Sequence, residues 1–238
     1  MGELRARLNN ASPDLYETLC KNWSTAMDEW LPAIGLNSDS FNSYPHLRNV
    51  EQYLDEIYIW LNSVCKREET FLTPAELYLL LASVLFHDVG RLTNGGSGHG
   101  ADSKRLIRDR WAELGIPSKK LADCLADICF YHEPTPDRPR SYLDTTLYEI
   151  VVSPYGRIRP RSIASLLTLA DHLDSAFNRV IPCYIRGLEN KKVVGMFRGL
   201  IGGVHLEPEA RMVRTVLGTD LETLPAVKEK EASIDYEL

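Results

Sequence analysis

The sequence of 238 residues has no apolar run approaching the roughly 20 residues a helix needs to span a bilayer, so no membrane partner is expected. Its opening, Met1 to Asn10, lacks the apolar stretch of a secretory signal. Ala6 stands where a myristoylation signal wants serine or threonine. An excess of positive charge is missing too. The formal net charge of −6 argues against a general nucleic-acid binder, whose phosphate contacts need basic surface, and leaves open only a local basic patch. The five cysteines (Cys20, Cys65, Cys124, Cys129, Cys183) are odd in number and contain no Cys-x-x-Cys pair. That excludes a disulfide framework and a thiolate zinc site, and reads instead as core filler in a reducing compartment. These absences together lead to the expectation of a cytoplasmic protein.

What is present is ordinary in bulk. Hydrophobic residues at 44% and charged residues at 25% are close to globular averages, so a sizeable core is possible. The length suits one large domain or one domain with an appendage.

Helices dominate the pattern. Ser12 and Pro13 read as an N-cap and first-turn proline opening a helix to about Trp30. Pro45 opens a second, with Leu47, Val50, Leu54, Ile57, Leu61 and Val64 at helical spacing. Thr73, Pro74 and Glu76 form a capping box ahead of an almost wholly apolar, central helix, Leu77 to Phe86, with a left-handed cap expected at Gly90. Further helices are expected over Ala101 to Leu114, Pro117 to His132 and Arg161 to Val180, the last with Ile163, Leu166, Leu167, Leu169 and Ala170 facing inward. Between them lies a long proline-rich loop, Glu133 to Pro160, of the kind that is either functional or disordered. After Pro182 the glycine-rich run Val193 to Leu206 and the run Met212 to Leu217 read as strands of a small sheet or hairpin. The expected division is a helical metal-binding domain over 1–186 and a small strand-containing extension over 187–238.

The histidines and aspartates carry the chemistry. His46 lies in the first turn of one expected helix, His87 and Asp88 at the end of the most apolar one, His99 in a glycine loop, His132 at a helix end and Asp171 inside a later helix. Imidazole and carboxylate are the ligands for zinc, manganese, iron or magnesium where thiolates are lacking. A lone histidine near a helix end is usually just a satisfied polar side chain. The His87-Asp88 doublet is harder to read that way. It follows an apolar run with no lysine or arginine between Leu77 and Phe86, and an unpaired buried carboxylate costs several kcal/mol, about what a metal ion would offset.

The ordered series His46, then His87-Asp88-Val89-Gly90-Arg91, then His99, His132 and Leu169-Ala170-Asp171 resembles the HD superfamily of metal-dependent phosphohydrolases. The likeness covers about Tyr44 to Arg179. It implies a mainly α fold, an HD-type helical bundle to which the strands add a small C-terminal β appendage. It also implies that His46, His87, Asp88 and Asp171 bind a first divalent ion. In members with two ions the doublet aspartate bridges, and the positions of His99 and His132 complete the second set. The cofactor expected is thus one or two divalent ions, of manganese, iron, zinc, magnesium, nickel or cobalt. Such ions lower the pKa of a bound water from about 15.7 toward about 7, making hydroxide available to attack phosphorus. Asp88 is expected to orient the nucleophile. Arg91 stands where many two-ion members have lysine. It is expected to neutralise phosphate, not to act as an acid, since guanidinium does not readily lose its proton; the bland alternative is a surface residue beyond a helix cap. Asp174, one turn after Asp171, is read either as a carboxylate bonded to a ligand histidine from behind or as a solvated helix charge, the latter slightly ahead.

Arg138, Arg140, Arg157, Arg159 and Arg161 make a basic segment in an acidic protein, with Tyr142 and Tyr155 available for stacking. Arg157, Arg159 and Arg161 are the candidates for holding a nucleotide's phosphates; a solvated loop is the alternative. His172 and His205 are read as structural. The function expected is hydrolysis of a phosphomonoester or phosphodiester, of a nucleotide or another small phosphate ester. Nucleic acid is possible but not favoured, and an oligomer is possible. The alternatives are a single-strand nuclease component of a defence system and a regulatory domain with a structural metal site. The stretch Pro160 to Asp174 also resembles HD domains linked with bacterial conflict systems and chaperone-like ATPases.

Overall fold

The computed structural model describes residues 2–37, 44–65, 71–93, 98–133, 147–174, 201–207 and 212–217, with side chains for all but 35–37, 63–65 and the last two segments. The chain divides into two compact units, 1–174 and 175–238. In the first, α1 (Glu3–Ala11), α2 (Pro13–Thr25), a π-helical turn (Ala26–Trp30) and α3 (Leu31–Asn37) lead to α4 (Tyr44–Cys65) and α5 (Pro74–Phe86). A 3-10 turn (Val89–Leu92), α6 (His99–Arg110), α7 (Lys119–Tyr131), a hairpin of β1 (Ile150–Val152) and β2 (Gly156–Ile158), and α8 (Pro160–Leu173) follow. The second unit contributes one antiparallel hairpin, β3 (Ile201–Glu207) with β4 (Met212–Leu217). The fold is mainly α with a small β element toward the C-terminus, as expected. Among the described residues no helix is long and apolar enough to cross a membrane.

α5 is the axis of the first unit. Every residue from Ala75 to Phe86 is buried, and α1, α2, α4, α7 and α8 pack around it. Its start is fixed by the capping box: Thr73 Oγ1 accepts from Glu76 N at 3.3 Å and Glu76 Oε2 accepts from Thr73 N at 2.9 Å. Glu76 has no exposed surface, and the same carboxylate also accepts from Arg159 N and Nε, each at 2.8 Å, and from Arg159 Nη2 at 2.7 Å. That bond network seats the start of α8 beside the start of α5. The two helices therefore run side by side in one direction, and both end where His87, Asp88 and Asp171 meet.

Several local expectations are corrected. Gly90 is not a left-handed cap: it belongs to the 3-10 turn, and its lack of a side chain serves packing, since a Cβ there would come 2.1 Å from the His99 carbonyl oxygen. The expected helix to Trp30 passes through a π turn at Ala26–Trp30 and continues as α3. Leu169 is 46% exposed and not part of the inward face of α8, while Thr168 is buried and returns its hydroxyl to Ala164 O. α8 ends at Leu173, so the expected continuation to Val180 lies beyond the described residues. The expected loop Glu133 to Pro160 is not loop throughout, because Ile150–Val152 pairs with Gly156–Ile158.

Candidate metal centre

Five helix ends meet at the centre. His87 and His132 are the C-cap residues of α5 and α7, and each turns its ring back on its own helix. His87 Nδ1 donates to Val84 O at 2.9 Å and His132 Nδ1 to Cys129 O at 2.5 Å. Those carbonyls belong to the last turn, where no further backbone N–H is available to them, so the histidine at the cap supplies the missing donor. His46 stands in the first turn of α4, and His99 opens α6. Asp171 lies in the last turn of α8. The C-terminal ends of α5, α7 and α8 bring partial negative charge to the same region, which favours a cation.

Each of the four rings faces an acceptor with Nδ1. His46 Nδ1 donates to Asp174 Oδ2 at 2.6 Å, and His99 Nδ1 lies 3.3 Å from Glu133 Oε1. A carbonyl or carboxylate can only accept, so the outward nitrogen carries the proton and a neutral ring presents the Nε2 lone pair inward. The inward atoms crowd together. His46 Nε2 is 3.2 Å from His87 Nε2, and His99 Nε2 is 3.1 Å from His132 Nε2. Asp171 Oδ1 lies 3.3 Å from His46 Nε2 and 3.8 Å from His87 Nε2. Asp88 Oδ1 lies 2.9 Å from His99 Nε2 and 3.8 Å from His132 Nε2, with its Oδ2 3.7 Å from His87 Nε2.

Facing lone pairs at such distances repel unless a positive species lies among them. Protons are one relief, but burial works against them: it pushes the His87 imidazole below its usual pKa and His132 down to about 4. A metal cation needs no such protonation, and the donor set, imidazole nitrogen with carboxylate oxygen, suits a divalent transition ion or magnesium. Three overlapping triads have ligand atoms within 4.8 Å of one another: His46, His87 and Asp88; His87, His132 and Asp171; and Asp88, His99 and His132. The residues present therefore fit one ion or two. Burial alone would raise the Asp88 carboxyl, yet the neighbouring His87 and His99 rings and the Arg91 guanidinium hold it well below the usual carboxylate range. Asp88 is thus in the ionised form that could hold a metal.

All six residues of the expected metal set are thus brought together. Arg91 joins them, its Nε 3.0 Å from Asp88 Oδ1 and its Nη2 3.5 Å from His99 Nε2. Asp174 is fully buried, with Oδ2 on His46 and Oδ1 accepting from Asn49 Nδ2 at 2.9 Å, which is the opposite of a solvated helix charge. The other basic candidates sit elsewhere. Arg157 pairs with Glu149 across its hairpin, and Arg159 is held by Glu76 and Phe71 O. Glu76 and His87 are eleven residues apart on one helix, so Arg159 is roughly 16 Å from the histidines. Arg161 lines a pocket with Tyr148, Glu149 and Arg159 at that same far end. Arg138, Arg140 and Tyr142 lie outside the described residues. His172 is a surface residue bonded to Thr168 O at 2.7 Å.

Two contributors were not foreseen in the sequence. Ser103, buried in α6, donates to His87 O at 2.7 Å and accepts from Gly90 N at 2.8 Å, so one hydroxyl secures the His-Asp turn from behind. Glu133 clamps the start of α6, accepting from Gly98 N and Gly100 N at 2.9 Å each. Its place directly after His132 was the only available signal.

A helical bundle with histidines and aspartates gathered at its helix ends, in the order His, His-Asp, His, His, Asp, defines an HD-type domain. The HD-CE family model matches residues 45–189, and the chain belongs to the HD-CE family. Neither a curated protein nor a solved structure matches the sequence.

Proposed function

We propose that this HD-CE chain is a metal-dependent phosphohydrolase cleaving a phosphomonoester or phosphodiester, with a nucleotide as the substrate class. The observation that carries the reading is the crowding of four Nε2 atoms and two aspartates in a buried space that disfavours protons. A bound divalent ion supplies a Lewis acid for the phosphoryl oxygen and a source of hydroxide near neutral pH. His46, His87, Asp88 and Asp171 are assigned to one ion, and Asp88, His99 and His132 to a second where two are held.

The protein's own groups do the rest. Asp88, ionised and shared between two triads, accepts a hydrogen bond from the attacking water and orients it. Arg91, half-buried against Asp88, fixes a permanent positive charge where negative charge grows on the phosphoryl oxygens. Guanidinium keeps its proton at neutral pH, so Arg91 stabilises charge and does not protonate the leaving group. Asp174 holds the His46 ring in its ligating tautomer. The nucleotide is read from the sequence, from Arg138, Arg140 and Tyr142, since Arg157, Arg159 and Arg161 lie away from the histidines.

The test combines elemental analysis with turnover. Purified protein should carry one or two divalent ions per chain and hydrolyse an aryl phosphate or a bis-aryl phosphate, the preference between them separating monoesterase from diesterase. His87→Ala with Asp88→Ala should lose both metal and turnover. Metal retained without turnover on any phosphate ester or single-stranded nucleic acid would overturn the catalytic reading in favour of a structural ion.

A further inference from the structure

Glu133 sits where two hydrogen bonds and one ion-pair contact meet. Its Oε1 accepts from Gly98 N at 2.9 Å and lies 3.3 Å from His99 Nδ1, while Oε2 accepts from Gly100 N at 2.9 Å. The bonds span 33 and 35 residues of sequence, so this is a tertiary clamp and not a local turn. The backbone on either side of His99 is shaped to receive it. Gly98 holds a left-handed conformation, φ +90°, which an L side chain rarely adopts. A Cβ on Gly100 would stand 3.2 Å from both Glu133 Oε2 and Phe130 O, tighter than ordinary contact. The run Gly98-His99-Gly100 therefore allows one carboxylate to lie against two backbone amides and the ring between them.

The clamp also joins the two histidines of one triad. His132 is covalently next to Glu133, and His99 is the residue Glu133 holds, so a single dipeptide supplies one ligand and positions the other. The His46 and His87 rings take no part in it; they are held by Asp174 and by Val84 O. The His46 and His87 rings are thus held without any bond from Glu133.

We infer that Glu133 is a positioning residue that governs the His99–His132 half of the centre, setting how tightly a second cation is held there while leaving the His46–His87–Asp171 half untouched. The inference rests on the metal-binding reading above and deepens it. Carboxylates that orient a ligand histidine typically change metal affinity about 10–100-fold when removed.

The experiment is equilibrium dialysis of the full chain, stripped of metal, against Co²⁺, with ions counted per chain and the cobalt absorption spectrum recorded. The parent should bind two ions. Glu133→Gln, nearly isosteric, and Glu133→Ala should weaken one ion at least tenfold, change the spectrum of that ion alone, and leave the other dissociation constant within twofold. A melt of each metal-free variant reports folding, and Glu133→Gln carries the test if the alanine variant does not fold. Two ions bound with both constants unchanged would overturn the inference while the hydrolase reading stands. So would a parent that binds one ion, for there would be no second ion to govern. A parent that binds none removes both readings.

Discussion

His46 Nε2 and His87 Nε2 face each other across 3.2 Å, while the other nitrogen of each ring is already given to an acceptor behind it. The pair is held from outside by Asp174 and by the last turn of α5, so neither ring can turn away without breaking a buried hydrogen bond. Removing a bridging cation would leave the repulsion in place. Chelation should therefore lower the melting temperature. At a metal concentration about 100 times its dissociation constant, one ion contributes about 2.7 kcal/mol. For a chain of this size that is roughly 5–10 °C. Calorimetry with and without chelator measures it; identical melts would mean that no ion binds the folded state selectively.

Asp174→Asn tests the outer support of the other half. The amide can still meet Asn49, but it cannot offer His46 an ionised acceptor, and the ring is free to choose the wrong tautomer. The expected result is about a 10–100-fold loss of affinity for one ion with the metal-free fold intact. Titration with Co²⁺ reads the affinity and circular dichroism the fold. Unchanged affinity would make Asp174 a packing residue only.

What could be read in advance was local. The capping box at Thr73, the apolar run of α5 and the spacing of Leu47, Val50, Leu54 and Ile57 on α4 are local to one helix, and each stands in the structure. The gathering of the six candidate ligands was legible for another reason: their order carries a resemblance that no single residue does. What escaped was tertiary. The burial of Asp174 depends on α4, 125 and 128 residues earlier in sequence, and its helical spacing fits a solvated charge equally well. The role of Gly90 is set by α6 lying against it, not by its own turn. Arg159 read as a phosphate ligand because its partner, Glu76, was already assigned to the capping box; the carboxylate serves both.

Acid should destabilise the metal-free chain. The His132 imidazole has a folded pKa of about 4, below the value near 6.5 of an unfolded chain, and His87 is shifted the same way by burial. Between these pH values the unfolded state binds more protons than the folded one, so stability rises with pH. Sign and window follow: the contribution is fully present above about pH 6.5 and is lost as pH falls toward 4. Asp88 and Glu133, both held below the usual carboxylate range, act in the same sense at still lower pH. Urea midpoints from pH 7.5 to 4.5 should fall steadily. A flat profile would mean that these rings are hydrated or already paired with protons.

Arg159→Ala separates two roles for the basic segment. The guanidinium is the charged partner of a carboxylate with no exposed surface, and without it that charge would keep only the backbone N–H groups of Thr73 and residue 159. Deleting the partner of a buried charge is strongly destabilising, on the order of 3 kcal/mol. The loss falls at the start of α5, roughly 16 Å from the histidines at its other end. The melting temperature should drop by about 6–12 °C while metal content stays the same and KM for a small aryl phosphate is unchanged. Arg161→Ala, at the same end of α8, is the companion variant, since Arg161 makes no bond to Glu76 among those described. If KM instead rises several-fold in both variants at unchanged stability, the far end of α8 contacts substrate. The segment would then have to be assigned to binding and not to the anchoring of α8 on α5.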